Sequence, residues 1–285
     1  MADKWQMAVS DGLPMRESGA WAEEKLDYLR RYVDVFTTSM RKKWSLYYLD
    51  LFAGPGKCQV RETGRVLLGS PLIALTSRYP FTAYYFVDLK QENLDTLRRR
   101  CQSSGLYERV QFVCHDANDA AVGIVNDMHG RLSALGLAFL DPEGLELRWE
   151  TVTTLAQLRL DLIIHFSQMG LARFMPVAAQ QERETALDLF FGDREWRSIF
   201  ERSQRREEFY LLGELVEYYQ SKLQRLGYQD TNVSFDPVMK NRNDAPLYRL
   251  LFASKNKLGA DFWAKVTARD AYGQRRLLEL EPPYE

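Results

Sequence analysis

Histidine and cysteine are scarce in this chain, at three residues each, and neither type clusters. His115, His129 and His165 are scattered, and Cys58, Cys101 and Cys114 lack metal-ligand spacing. No zinc or iron centre is expected. An odd number of separated cysteines reads as reduced thiols, which suits a cytoplasmic chain. Long apolar runs are missing: none approaches the ~18 residues of a membrane span. The start, Met1-Ala2-Asp3-Lys4-Trp5, is charged and lacks the apolar stretch of a signal peptide. An excess of one charge is missing too. Lys plus Arg is 38 and Asp plus Glu is 39, a net charge of −1. Whole-molecule attraction to nucleic acid is excluded, leaving local basic patches. There are no internal repeats and no low-complexity segment.

What is present is aromatic and alternating. The 15 Phe, 15 Tyr and 6 Trp imply a large core, although aromatics also stack on bases. At 285 residues, one α/β domain with a sizeable insertion is expected. Residues 1–16 read as a loose arm. A helix with Ser18 as N-cap carries an apolar stripe from Trp21 to Phe36 that should lean on the main domain, and its basic and tyrosine-rich parts can border an active site. Strands are expected over 44–52, 81–87, 110–113, 135–140 and 160–166. A hairpin is expected over 57–68. Ser70 as N-cap and Pro71 at the first helical position open a helix, and further helices fall over 89–101, 117–132 and 149–157. This alternation predicts a mostly parallel sheet with helices on both faces.

After Gly170 the pattern turns helical over 171–180, 184–190, 195–202 and 206–226. Strands over 232–240 and 247–254, joined by a short loop, must be antiparallel. A helix over 260–268 follows, and 274–280 closes the chain. The expected division is an arm and helix (1–43), a core (44–170), a helical insertion (171–231) and a terminal hairpin and helix (232–285).

The residues that promise chemistry sit at strand ends. Residues 47–58 form an apolar strand ending in Asp50, then Leu51, Phe52 and Ala53, then Gly54-Pro55-Gly56. Glycines at such a turn let backbone approach a ligand. Gln59 stands where a dinucleotide fingerprint needs a third glycine, and Cys58 stands where a phosphate loop needs Ser or Thr. An acid before the glycines suits S-adenosylmethionine, which offers an ammonium, a sulfonium and a ribose diol but no phosphate. Asp50 can hold the ammonium side. Asp88, followed by Leu89, can accept from the ribose hydroxyls. Asp116, followed by Ala117, can accept from the adenine amine. Each acid can equally be a helix cap. Asp141-Pro142-Glu143-Gly144 ends the fourth strand, where a methyl acceptor would sit. Asp141 and the Pro142 carbonyl can orient a nucleophile, and Glu143 can handle a proton. The alternative is an ordinary capped turn. His165, Ser167 and Gln168 end the fifth strand as a further acceptor wall, or His165 is a core histidine. Arg98-Arg99-Arg100 and the run from Arg202 to Arg206 read as solvated helix faces, or as phosphate contacts if they share one surface beside the cleft.

At these residues the chain resembles class I S-adenosylmethionine-dependent methyltransferases, and more closely the bacterial three-Cys-motif partner (TcmP) family. The matching pieces include Lys25-Leu26-Asp27-Tyr28-Leu29, Leu49 to Gly56, Gly69-Ser70-Pro71-Leu72, Phe86-Val87-Asp88 and Leu140 to Gly144 followed by Trp149. Leu247 to Lys255 with Gly259 and Trp263 also match. The resemblance implies a Rossmann-like seven-stranded sheet with a terminal hairpin. It implies a cofactor site at Asp50, Gly54, Gly56, Asp88 and Asp116. It also implies a three-cysteine, radical-S-adenosylmethionine-type partner protein. The acceptor stays open between nucleic acid and partner protein. Base methyltransferases often carry an aromatic in their Asp/Asn-Pro-Pro-Tyr/Phe motif, and Glu143-Gly144 lacks it. A second reading is a non-catalytic binding partner, with Phe190, Phe191 and Trp196 of the insertion as partner contacts or as the insertion's own core. A nicotinamide enzyme is disfavoured by Gln59.

Overall fold

The computed structural model describes residues 9–204, 211–229, 236–241 and 245–274. In chain order, β1 (Arg16–Ser18) and α1 (Trp21–Met40) precede β2 (Ser45–Asp50). The hairpin β3 (Lys57–Val60) and β4 (Val66–Leu68) leads to α2 (Ser70–Leu75), β5 (Ala83–Asp88) and α3 (Gln91–Cys101). Next come β6 (Val110–Cys114), α4 (Ala117–Met128), β7 (Ala134–Leu140), α5 (Trp149–Leu155) and β8 (Leu160–Phe166). Four helices follow: α6 (Gln168–Ala178), α7 (Ala186–Phe191), α8 (Glu195–Gln204) and α9 (Leu211–Arg225). The described chain closes with β9 (Val238–Lys240), β10 (Pro246–Ala253) and α10 (Lys257–Thr267).

Seven strands form one sheet in the order β6-β5-β2-β7-β8-β10-β9. Only β10 runs against its neighbours β8 and β9. This is the mostly parallel, Rossmann-like sheet with one antiparallel strand that the sequence predicts. Its inner strands are apolar along their length because both faces are covered. Alternation decides the side. Leu46, Tyr48, Tyr84 and Phe86 pack with α1, α2, α3 and α10. Tyr47, Leu49, Tyr85 and Val87 pack with α4 to α9.

The helices after β8 belong to that second layer. Phe166, ending β8, meets Phe190 and Tyr219 at centroid distances of 5.5 Å each. Phe190, Phe191 and Trp196 are fully buried, so they are core and give no docking surface. Asp188 ties this corner together. It caps α7 with Thr185 and accepts from the Trp196 indole at 2.9 Å and from Arg197 at 2.9 Å.

Three local expectations are corrected. Ser18 does not cap α1. It ends β1, which pairs in parallel with β3, and Ala20 precedes the helix. Ser70 lies inside α2, after Gly69 at the N-cap position. The helix expected from 171 begins at Gln168, because the Ser167 hydroxyl accepts from the Gly170 N–H. Residues 275–280 of the expected closing segment, 232–235 of the expected strand and 206–210 of the expected helix, with Arg206 of the basic run, lie outside the described residues.

Candidate functional site

Five parallel strands end at one edge of the sheet, so the residues beyond them converge. Two adjoining hollows open there, meeting at Phe52, Gly54, Pro55, Asp141, Glu143 and Arg16. The first has a volume of about 360 Å³, within the ~300–1,000 Å³ of small-molecule sites. Asp88, Leu89, Asp116 and Ala117 line it. The second, of about 230 Å³, is lined by Ala53, Gly56, Pro142, Lys25, His165 and Tyr248, among others.

The glycine loop is shaped for close approach. Gly54 has φ +61°, and a Cβ there would meet no atom within 4 Å. Gly56 has φ +90°, and its Cβ would lie 2.6 Å from Leu97. One glycine thus keeps backbone open toward both hollows, and the other lets the loop seat on α3. The hairpin β3–β4 accounts for the long gap between loop and second acid. Despite that gap, Gly54 N donates to Asp88 Oδ2 at 2.8 Å. Asp88 Oδ1 takes Lys90 N at 2.8 Å and Asn93 Nδ2 at 3.0 Å.

Asp116 caps α4 and also lines the first hollow. Burial pushes its carboxyl up, but the Asn118 N–H groups outweigh this and hold it below the usual range.

Asp50 stands apart from the other predicted acids. It is fully buried and is absent from the lining of both hollows. Its position on β2 turns it to the Tyr48 side of the sheet, beneath the start of α2. Tyr48 Oη and Phe52 N each donate to it at 3.4 Å. Burial pushes its pKa up to about 7, against a hydrogen bond from Ser70. Asp50 anchors the loop from below, where the sequence reading set it against a ligand ammonium.

In the second hollow, Lys25 Nζ donates to Asp141 Oδ2 at 2.5 Å, and each side chain is 14% exposed. Burial pushes the Asp141 carboxyl up, but the Lys25 charge wins and holds it low. Lys25 also lies 5.5 Å from the Tyr248 ring centroid. His165 packs edge-on against that ring at 4.1 Å. Burial drives the His165 pKa down to about 4, against the attraction of Asp141, so the imidazole is neutral at pH 7. His165 Nδ1 and Tyr248 Oη are buried without a protein partner. Pro142 is buried. Glu143 is exposed and pairs with Arg16 at 3.1 Å.

Chemically, the first hollow is predominantly acidic: Asp88, Asp116, Asp141, Glu143 and Glu146 line it against Arg16 and Lys90, beside the loop backbone. That suits hydroxyls and amines and repels phosphates. The second offers a neutral imidazole, a phenol and a carboxylate fixed by an ammonium, which suits a group bearing N–H or O–H.

Sequence reasoning let the basic and tyrosine-rich parts of α1 border a site without giving Lys25 a role, and it did not assign Tyr248 or Arg16. Lys25 carried a signal, being a charge four residues after Trp21 inside an apolar stripe. Arg16 carried none. Of the basic runs, Arg98 is about a third exposed, whereas the Arg100 side chain is only 3% exposed.

No family model matches the chain, and no curated protein matches it. Among solved structures it is similar to the O-methyltransferase TomG from Streptomyces achromogenes in complex with SAM, at 10% identity and TM-score 0.44, covering 88% of this chain and 82% of that one. It is similar to cofactor-bound Rv0187 from MTB, at 10% identity and TM-score 0.42, covering 90% and 85%. Both are remote, and the fold stands on the chain's own strand pairing.

Proposed function

We propose that the chain is an S-adenosylmethionine-dependent methyltransferase with the class I strand order. One observation carries the reading: two hollows meet at the glycine loop on the carboxyl edge of the sheet, one walled by Asp88 and Asp116, the other holding Asp141 and His165. The donor supplies an electrophilic methyl on a sulfonium. The chain does the rest. Asp88 has about four lone-pair positions and spends three on Gly54, Lys90 and Asn93, which leaves one for a ribose hydroxyl. Asp116 keeps an acceptor for the adenine amine. The open face of Gly54 gives room for the donor beside the loop.

On the acceptor side, Asp141 is fixed as a carboxylate by Lys25 and orients the nucleophile. His165 is neutral and can accept a hydrogen bond from the nucleophile. Holding both partners in line is itself a large part of catalysis, worth up to ~7–11 kcal/mol. The finer proposal rests on the sequence resemblance: membership of the three-Cys-motif partner family, with a three-cysteine partner protein and an acceptor on that protein or on nucleic acid.

Calorimetry with S-adenosylhomocysteine tests the reading. Asp88→Ala is expected to weaken binding roughly 10- to 100-fold, the range of a hydrogen bond to a charged group. Equal affinity in the two proteins would remove Asp88 from the site.

A further inference from the structure

The N-terminal segment before α1 forms part of the first hollow. Pro14, Met15 and Arg16 line it together with Asp88 and Asp116. The segment is held at two places. At one end β1 pairs in parallel with β3, Arg16 opposite Cys58 and Ser18 opposite Val60, and Arg61 N donates to the Ser18 carbonyl at 2.9 Å. At the other end it is gripped by Arg100, from the last turn of α3.

Arg100 uses all five of its N–H donors in this grip. Nε and Nη2 make a bidentate pair with Asp11 at 2.9 and 2.8 Å. Nη2 also reaches the Leu13 carbonyl at 3.2 Å. Nη1 takes the Pro14 carbonyl at 2.9 Å and the Pro55 carbonyl at 2.5 Å. Lys57 adds a second cation on Asp11 at 2.8 Å and holds the Val9 carbonyl at 2.9 Å. Arg100 and Lys57, working against partial burial, hold the Asp11 carboxyl well below its usual range, so it is charged at any working pH. A single guanidinium therefore bonds the arm and the glycine loop at once.

We propose that Arg100 is a positioning residue that locks the arm (residues 11–18) to the glycine loop, so that the cofactor enters and leaves only when the arm lifts. The arm then acts as a strap across the first hollow, and Asp11 is its latch. The proposal rests on the cofactor reading above. Only a planar fork can make these contacts together, so a lysine keeps the charge and loses the lock.

The test uses the full chain with Arg100→Gln, Arg100→Lys, Asp11→Asn and the Arg100→Gln/Asp11→Asn pair. Hydrogen exchange is read over peptides spanning 9–18, and stopped-flow mixing gives association and dissociation rates for S-adenosylhomocysteine. A gate speeds entry and exit together, so both rates are expected to rise roughly tenfold, with Kd moving less than either. Arg100→Lys is expected to behave like Arg100→Gln, and the pair like Arg100→Gln alone, because both changes open one latch. Asp11 is partly exposed, so Asp11→Asn keeps the test alive if Arg100→Gln misfolds. Faster arm exchange with unchanged ligand rates would overturn the strap and leave the cofactor reading standing. So would a rise in dissociation alone, which marks lost structural support. A wild-type chain with no affinity for the ligand would overturn the cofactor reading and the strap with it.

Discussion

Asp50→Asn is expected to change how stability depends on pH. The wild-type carboxyl is fully buried and titrates at about 7 in the fold. The ordinary value for an aspartate is 3.8. The folded chain therefore holds this proton more tightly than the unfolded chain does. Between pH 4 and 7 the unfolded state releases it first, so wild-type stability falls as pH rises through that window. Each pH unit is worth about 1.4 kcal/mol. The penalty is on the order of 2 kcal/mol at pH 5 and of 4 kcal/mol by pH 8, counted from the ordinary aspartate value. Asparagine is neutral at every pH and keeps an acceptor for the Phe52 N–H. The stability of Asp50→Asn relative to wild type is expected to improve by about 2–3 kcal/mol from pH 5 to pH 8. Urea unfolding of both proteins at pH 5, 6, 7 and 8 measures this. A difference that does not vary with pH would refute the account of Asp50 as a buried anchor with a raised pKa. A difference that shrinks with pH would reverse its sign.

Three further outcomes are expected. Lys25→Met removes the ammonium paired with the mostly buried Asp141 carboxylate and should cost up to ~3 kcal/mol in urea unfolding, with part of it recovered by adding Asp141→Asn. His165 has a lowered pKa, so its contribution is present above pH 6.5 and is lost as pH falls toward about 4; NMR should show the ring neutral at pH 5.5, and His165→Asn should blunt acid destabilisation. Gly56→Ala combines a positive φ with a Cβ 2.6 Å from Leu97, whereas Gly54→Ala meets only the φ penalty. The first should be the less stable protein by thermal melting, and the second should lose proportionally more affinity for S-adenosylhomocysteine.

The sheet was legible because its strands are apolar runs with a polar stop. Phe86-Val87-Asp88 and Leu140-Asp141-Pro142 each mark a strand end with an acid. The hairpin at 57–68 was legible from its Glu62-Thr63-Gly64-Arg65 turn. β1 was not, since Arg16-Glu17-Ser18 has no apolar pattern and forms only because β3 offers an edge. Asp50 and Asp88 look alike in the sequence, each closing an apolar strand. What separates them is tertiary: one faces Tyr48 and Ser70 under α2, the other reaches the Gly54 N–H across the loop. Arg100 was hidden in a run of three arginines. It flanks the buried stripe Leu94, Leu97 and Cys101, and only the arm's path beside α3 explains its burial.

Equilibrium dialysis with methyl-labelled S-adenosylmethionine tests the central claim most directly. The account predicts one molecule retained per chain, displaced by S-adenosylhomocysteine and held roughly 10- to 100-fold more weakly by Asp88→Ala. No retention by the folded wild-type chain at ~1 mM ligand, the weak limit near 4 kcal/mol of binding, would contradict it.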